Sequence, residues 1–242
     1  MTEIFAHRGS KGTHPENTIP AFLEAVRVGA DGIELDVQLS KDGVPVVIHD
    51  DTVNRTTNGS GLVRELTLKE LKKLDAHQGY RKHLAALFKK TKIPTLQEAL
   101  QTLNKYPLIL NIELKTDVYD YPGIEAKVLE QCKKNVGSLS FLFCSFNIET
   151  LRRLRELDSE IKLSAITGLE FEEALEQKEG LRLDSINPPY KIRNNGAFVG
   201  VPTRCWTANQ DRQIETLFSE NVLGFMTDFP EKAVKLRKKR NK

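Results

Sequence analysis

The sequence predicts one (β/α)8 TIM barrel. Eight short apolar, β-branched runs recur along the 242 residues, with helical stretches between them. Such a barrel typically has about 250 residues, so the chain is long enough to form one. A doubly wound sheet usually has fewer strands and a Gly-rich first turn, and no GxGxxG pattern occurs. We therefore expect a single domain over residues 1–242.

Each predicted strand ends in polar or ionisable residues. The eight strands are predicted at residues 4–7, 32–37, 108–115, 140–145, 162–166, 184–187, 203–207 and 224–228. Apolar residues at helical spacing lie between them, for example over residues 18–28 and 148–157. Asn17 and Asn147 precede these two segments and are the predicted N-caps.

A ninth apolar run, residues 44–49, follows the second strand after only residues 39–43. A parallel neighbour needs a crossover of about a dozen residues or more, so this run must fold back as a hairpin. The hairpin returns His49 towards Glu34 and Asp36. The polar segment that follows, residues 51–92, is long for a structureless loop, and we expect a small capping insertion that covers substrate.

Composition and charge exclude several classes of protein. The last eleven residues contain seven Lys or Arg and no acid, and removing them leaves 29 basic residues against 33 acidic ones, a net charge of −4. A weakly acidic body argues against a nucleic-acid-binding protein. The chain has no apolar run of membrane-spanning length, no signal-like start and three cysteines without a close pair. We expect a cytoplasmic protein with no transmembrane segment and no disulfide framework.

Three acidic residues lie at the predicted carboxyl ends of strands, where barrel enzymes place their reactive groups. Glu34 and Asp36 are two apart and share one face of a strand, and Glu113 ends the next parallel strand. Buried carboxylates need a cation or hydrogen-bond donors. They could bind one hard divalent cation, Mg²⁺ or Ca²⁺. The alternative is a metal-free ion network with Arg8 and Lys115.

Two of the five histidines, His7 and His49, also end predicted strands on this side of the barrel. One imidazole could take a proton from an attacking hydroxyl while the other gives a proton to the departing oxygen. For either histidine alone, a structural role is the alternative. The other three lie in polar loop sequence, where we expect structural roles.

Positive charge beside the acids favours an anionic substrate. Arg8 and Lys115 with a metal would suit phosphate, whose transition state spreads charge over its equatorial oxygens. The sequence therefore predicts phosphoryl chemistry. Phe146 and Trp206 near other strand ends could contact the carbon part of a small substrate, with core packing as the alternative for each.

Ten short segments, in order along nearly the whole chain, carry a resemblance to a known family. They are AHRG (6–9), PENT (15–18), ELDV (34–37), DG to HD (42–50), RTT with two glycines (55–61), PTL (94–96), NIELK (111–115), SF (145–146), WTAN (206–209) and TDFP (227–230). With these segments the chain resembles the glycerophosphodiester phosphodiesterase family. An insertion after the HD pair is also usual in that family.

The resemblance implies an enzyme that hydrolyses glycerophosphodiesters, such as glycerophosphocholine or glycerophosphoethanolamine, to sn-glycerol 3-phosphate and an alcohol. It implies one divalent cation, Mg²⁺ or Ca²⁺, and a small-molecule substrate. The implied roles are an acid–base pair, metal ligands and phosphate-holding cations. By this resemblance, His7 and His49 would be the acid–base pair, and Arg8 and Lys115 would hold the phosphate. The metal ligands would be Glu34, Asp36 and Glu113.

Two alternatives remain open on the same fold. A lysophospholipase D-like or phosphatidylinositol phospholipase C-like enzyme needs an apolar surface for acyl chains, whereas residues 51–92 are polar and Lys-rich. A non-catalytic binder of phosphorylated metabolites would have no chemical reason to keep both histidines and all three acids. We therefore rank both below glycerophosphodiester hydrolysis.

Overall fold

The computed structural model describes residues 1–77, 91–168, 171–194, 198 and 200–240. Strands and helices alternate through this part of the chain. The strands are β1 (Glu3–His7), β2 (Gly32–Leu39), β3 (Pro45–Val47), β4 (Ile109–Leu114), β5 (Ser140–Ser145), β6 (Lys162–Ile166), β7 (Ser185–Asn187), β8 (Arg204–Cys205) and β9 (Gly224–Thr227). The helices are α1 (Ile19–Val28), α2 (Leu68–Leu71), α3 (Leu96–Leu103), α4 (Ile124–Lys134), α5 (Ile148–Leu157), α6 (Phe171–Gly180), α7 (Tyr190–Asn194), α8 (Asp211–Ser219) and α9 (Pro230–Arg240).

Eight of the described strands form a nearly closed parallel barrel. Their order is β7-β6-β5-β4-β2-β1-β9-β8, with β3 paired to β2 outside this path. Isolated parallel bridges from Ile186 to Thr203 and from Pro189 to Trp206 bring the two ends of the sheet together. The predicted (β/α)8 fold is therefore confirmed.

The hairpin inferred from loop length is also present. Strand β3 runs antiparallel to β2, with Val37 opposite Val47. Gly43 at the turn has a φ of 73°, a left-handed conformation that glycine adopts without strain. Beyond β3, the amide of Ile48 donates to the carbonyl oxygen of Asp36 at 3.0 Å. This bond returns His49 to the end of β2, as predicted.

Successive side chains of β2 and β4 point alternately towards the surrounding helices and into the barrel. The outward positions of β2 and β4, among them Ile33, Leu35 and Leu110, are fully buried in the main apolar cluster together with Phe22 of α1 and Leu151 of α5. Burial of one such side chain stabilises the fold by about 1.5–3 kcal/mol. The inward positions of β2 and β4, among them Glu34, Asp36 and Glu113, are instead polar and face the barrel interior.

The predicted N-caps have different outcomes. The Asn147 side chain accepts a hydrogen bond from the amide of Glu149, which confirms it as the N-cap of α5. The prediction for Asn17 is wrong, because Thr18 is the N-cap of α1. The Asn17 side chain instead donates to Asp36 Oδ2 at 2.7 Å, since a buried carboxylate needs donors.

The segment after His49 has a small core of its own. Residues Val53, Val63 and Leu71 pack with Val46 and Ile48 of the hairpin. Helix α2 begins at a reciprocal capping box between Thr67 and Glu70. Residues 78–90 of the expected insertion lie outside the described residues, so its capping role stays a prediction. Within the described residues, no helix is long and apolar enough to cross a membrane.

Candidate active site

Three carboxylates meet inside the barrel at the carboxyl ends of β2 and β4. Strand register places Asp36 directly opposite Glu113, and Glu34 lies two residues before Asp36 on the same face. One oxygen from each of the three carboxylates lies within 4.8 Å of the other two, and all three residues are buried. The strands therefore bring these acids close enough to share one cation.

The electrostatics of this triad call for positive charge. Burial, followed by repulsion from Asp36, raises the pKa of Glu113 to about 7. Burial and the two neighbouring carboxylates also raise the pKa of Glu34. Asp36 Oδ1 is buried without a hydrogen-bond partner among the described residues. An orphaned buried oxygen within an all-oxygen donor set fits a hard divalent cation.

Burial opposes ionisation of Asp36 as well, but the effects of neighbouring side chains outweigh it. Arg8, His49 and Lys115 hold the pKa of Asp36 below its usual value. The Arg8 amide donates to Glu34 Oε2 at 2.8 Å, and its Nε lies 3.4 Å from Asp36 Oδ2. The ion network considered as an alternative is thus present in part, and it leaves Asp36 Oδ1 unpartnered.

Both histidines are held at Nδ1 by a carboxylate. His7 Nδ1 lies 2.6 Å from Asp228 Oδ1, and His49 Nδ1 lies 2.7 Å from Asp50 Oδ1. On its other side, Asp228 Oδ2 accepts from Asn209 Nδ2 at 2.9 Å. Since a carboxylate accepts the Nδ1 proton, Nε2 is the nitrogen that each ring can offer to substrate.

The His49 backbone is fixed from inside the hairpin. Gln38 Nε2 lies within 3.1 Å of the carbonyl oxygens of Ile48, His49 and Asp50. The Tyr121 hydroxyl donates to Gln38 Oε1 at 2.9 Å and orients the amide. Because Gln38 is buried, this contact sets the height of His49 above the end of β2.

A lysine and two aromatic rings complete the site. Lys115 Nζ donates to Glu113 Oε1 at 2.9 Å and lies 5.6 Å from the centre of the Phe146 ring. Phe146 and Trp206 meet edge to face with ring centres 5.8 Å apart. Phe146 is 40% exposed, so it lies at the surface of the mouth and not in the core.

Several residues that support the site were not assigned to it from the sequence. They are Glu16, Asn17, Gln38, Asp50, Asn209 and Asp228. Gln38 continues the alternation of Glu34 and Asp36, which could have indicated it. The other five fall within the motif segments. The spacing of these residues in the sequence does not reveal their partners. Asp228, for example, contacts His7 although 221 positions separate the two residues.

Comparison with known proteins identifies the family. Residues 7–186 match the Glycerophosphoryl diester phosphodiesterase family. The chain is 39% identical to a glycerophosphodiester phosphodiesterase of Bacillus altitudinis and 37% identical to one of Caldanaerobacter subterraneus, each over 98% of both chains. The solved structure of an Oleispira antarctica phosphodiesterase in complex with the product sn-glycerol-3-phosphate has a TM-score of 0.86 and 30% identity, covering 98% of this chain and 97% of that one. The chain therefore belongs to the glycerophosphoryl diester phosphodiesterase family of enzymes.

Proposed function

We propose that the protein hydrolyses glycerophosphodiesters, such as glycerophosphocholine or glycerophosphoethanolamine, to sn-glycerol 3-phosphate and an alcohol, with a divalent cation and a histidine acid–base pair. The observation that carries this proposal is the pair of histidines, each held at Nδ1 by a carboxylate, next to the strand ends that carry the acidic triad. The Oleispira antarctica phosphodiesterase in complex with sn-glycerol-3-phosphate supports the class of product.

Glu34, Asp36 and Glu113 would hold the cation, which we propose is Mg²⁺ or Ca²⁺ because every donor is a carboxylate oxygen. When bound, a divalent cation supplies Lewis-acid chemistry that reduces negative charge at the phosphate oxygens. Arg8 adds positive charge beside Asp36, and Lys115 adds positive charge beside Glu113. They would bind and orient the phosphate.

The two histidines would move the protons. His7 Nε2 would accept a proton from the attacking hydroxyl, which belongs either to water or to the neighbouring glycerol hydroxyl. His49, with a proton on each ring nitrogen, would donate the Nε2 proton to the leaving alkoxide while Asp50 holds the Nδ1 proton. Burial lowers the pKa of His7 against the opposing effect of Asp228, and a lowered pKa favours the neutral ring that a base requires.

The aromatic pair would contact the carbon part of the substrate. Phe146 lies beside Lys115 and against Trp206, so a phosphate held by Lys115 would place its substituent near both rings. We further propose that residues 51–92 cap the site. Support for this comes from Arg55, which reaches from this segment to Asp50 and Glu16.

The test is release of sn-glycerol 3-phosphate from a panel of glycerophosphodiesters, with and without chelator and with Mg²⁺ or Ca²⁺ restored. We expect activity that is lost on chelation and regained with a cation. His7→Ala and His49→Ala should each lower turnover by at least about 100-fold. Activity that survives complete chelation would remove the cation from the mechanism, and near-normal turnover of either variant would remove that histidine.

The same assay distinguishes two routes of attack. Attack by the neighbouring glycerol hydroxyl passes through a cyclic phosphate, whereas attack by water does not. Phosphorus NMR during turnover should show the cyclic species only for the internal route. Faster hydrolysis of lysophosphatidylcholine than of every glycerophosphodiester would instead favour the lysophospholipase D-like alternative.

A further inference from the structure

One guanidinium outside the proposed catalytic set connects the two sides of the site. Arg55 donates to both oxygens of Glu16, each at 2.8 Å. It also donates to both oxygens of Asp50, at 2.7 and 2.8 Å. The RTT segment that contains Arg55 had no role in the sequence-based account of the chemistry. Although the Arg55 side chain is 46% exposed, two bidentate pairs hold it in a specific position.

Each carboxylate that Arg55 holds supports a different functional residue. Asp50 Oδ1 accepts from the His49 ring at Nδ1. Glu16 Oε1 accepts from Arg8 Nη1 at 2.8 Å, and Arg8 in turn faces Asp36. A continuous chain of charged contacts therefore runs from one proposed acid–base histidine, through Arg55, to a proposed phosphate-holding arginine.

The loop that carries Arg55 is itself held in place. The Val53 amide donates to the Gly61 carbonyl at 3.0 Å, and Thr57 Oγ1 donates to the Val53 carbonyl at 2.7 Å. Val53 and Thr57 are both buried. Arg55 thus projects from a turn with fixed ends, so its side chain can position other groups.

The hydrogen bonds that Arg55 already makes favour a positioning role over substrate binding. A guanidinium has five N–H donors, and the four bonds to Glu16 and Asp50 occupy four of them. The Arg55 side chain has one donor left and cannot form a bidentate pair with a phosphate as well. Glu16 is only 10% exposed, so loss of Arg55 would leave a poorly solvated carboxylate facing Arg8.

We infer that Arg55 is a positioning residue that orients His49 through Asp50 and Arg8 through Glu16. It thereby connects the insertion to a proposed acid–base residue and to a proposed phosphate-holding residue. This inference rests on the proposed function, since it assigns His49 and Arg8 the roles given there. In this role Arg55 would contact neither substrate nor cation. It acts only by holding the two carboxylates in one geometry.

The test compares Arg55→Gln and Arg55→Lys with the wild-type enzyme. Lysine keeps the charge but cannot form two bidentate pairs, so it should restore only part of the function. We expect Arg55→Gln to lower kcat by about 10- to 100-fold, the range seen when groups that orient active-site residues are lost, and to raise KM through Arg8. Arg55→Lys should fall between the two.

Arg27→Gln is the matched control. Arg27 forms a bidentate pair with Glu24 on α1, also at an exposed position, but it contacts no residue of the site. We expect its kcat and KM to stay within about twofold of the wild-type values, as for an ordinary surface ion pair. Thermal melting of all three variants separates loss of fold from loss of positioning.

A second measurement does not depend on turnover, so it tests the inference even if the proposed function is wrong. Long-range ¹H–¹⁵N NMR reports which ring nitrogen of His49 carries the proton. In the neutral His49 ring, the wild type should show the proton on Nδ1, and Arg55→Gln should show a mixture of tautomers, with Arg27→Gln unchanged. An active wild-type enzyme whose Arg55→Gln variant keeps kcat, KM and the His49 tautomer would overturn the inference. Absence of turnover in the wild type would instead refute the proposed function.

Discussion

The contact between His7 and Asp228 predicts the effect of one isosteric change. Asp228→Asn keeps the volume of the side chain but removes its charge. The wild-type bond is 2.6 Å long between largely buried groups, and a hydrogen bond to a charged partner contributes about 1.5–3 kcal/mol. Since each 1.36 kcal/mol changes a rate tenfold, we expect kcat to fall by about 10- to 150-fold. If the new amide donates to Nδ1, the ring proton moves to Nε2, and His7 can no longer act as the proposed base.

The assay is a pH profile of kcat/KM for a glycerophosphodiester. Burial lowers the pKa of His7, and the bond to Asp228 opposes that effect. Removing the charge should therefore lower the pKa of His7 further. Because a base must be neutral to accept a proton, the acid limb of the profile should move to lower pH.

Asp158→Asn provides the control, since Asp158 pairs with Lys133 on the outside of the barrel. It should change neither kcat nor the profile. The reasoning would be refuted if Asp228→Asn kept kcat within about twofold of the wild-type value and left the acid limb in place. A variant with normal melting and low kcat supports positioning, whereas joint loss of both would indicate a structural role.

Three further predictions concern stability and the cation. The pKa of Glu113 is raised from its ordinary value of 4.5 to about 7 in the folded, cation-free protein. As pH rises from 4.5 towards 7, the unfolded chain loses this proton before the folded protein does, so Glu113 increasingly destabilises the fold. With chelator present, Glu113→Gln should therefore stabilise the protein more at pH 8 than at pH 4, by on the order of 1–3 kcal/mol in the free energy of unfolding measured with urea. A difference of the opposite sign would contradict the repulsion. Leu110→Ala should cost about 2–5 kcal/mol in the same assay, because Leu110 is fully buried in the main apolar cluster, and a cost below about 1 kcal/mol would show that the cluster repacks. Asn17→Ala removes the donor to Asp36 and should weaken Mg²⁺ or Ca²⁺ binding by about 10- to 100-fold in calorimetry, while an unchanged affinity would mean that Asp36 needs no support from Asn17.

The sequence alone determined the barrel and the meeting of its acids. Alternating strands and helices require parallel pairing, and parallel strands bring their carboxyl ends to one side of the sheet. That rule places Glu34, Asp36 and Glu113 together before any coordinate is known. A linker of five residues permits only a hairpin, so the return of His49 to Asp36 also followed from local constraints.

Only the tertiary structure decided which partner each polar side chain takes. Asn17 reads as a helix cap, but the buried Asp36 competes for its amide, and Thr18 is the N-cap of α1 instead. Asp228 reaches His7 only because β9 closes the barrel beside β1. Such contacts depend on register, chain closure and side-chain conformation together. Spacing along the sequence encodes the face of a strand but not the residue from another strand or loop that lies opposite.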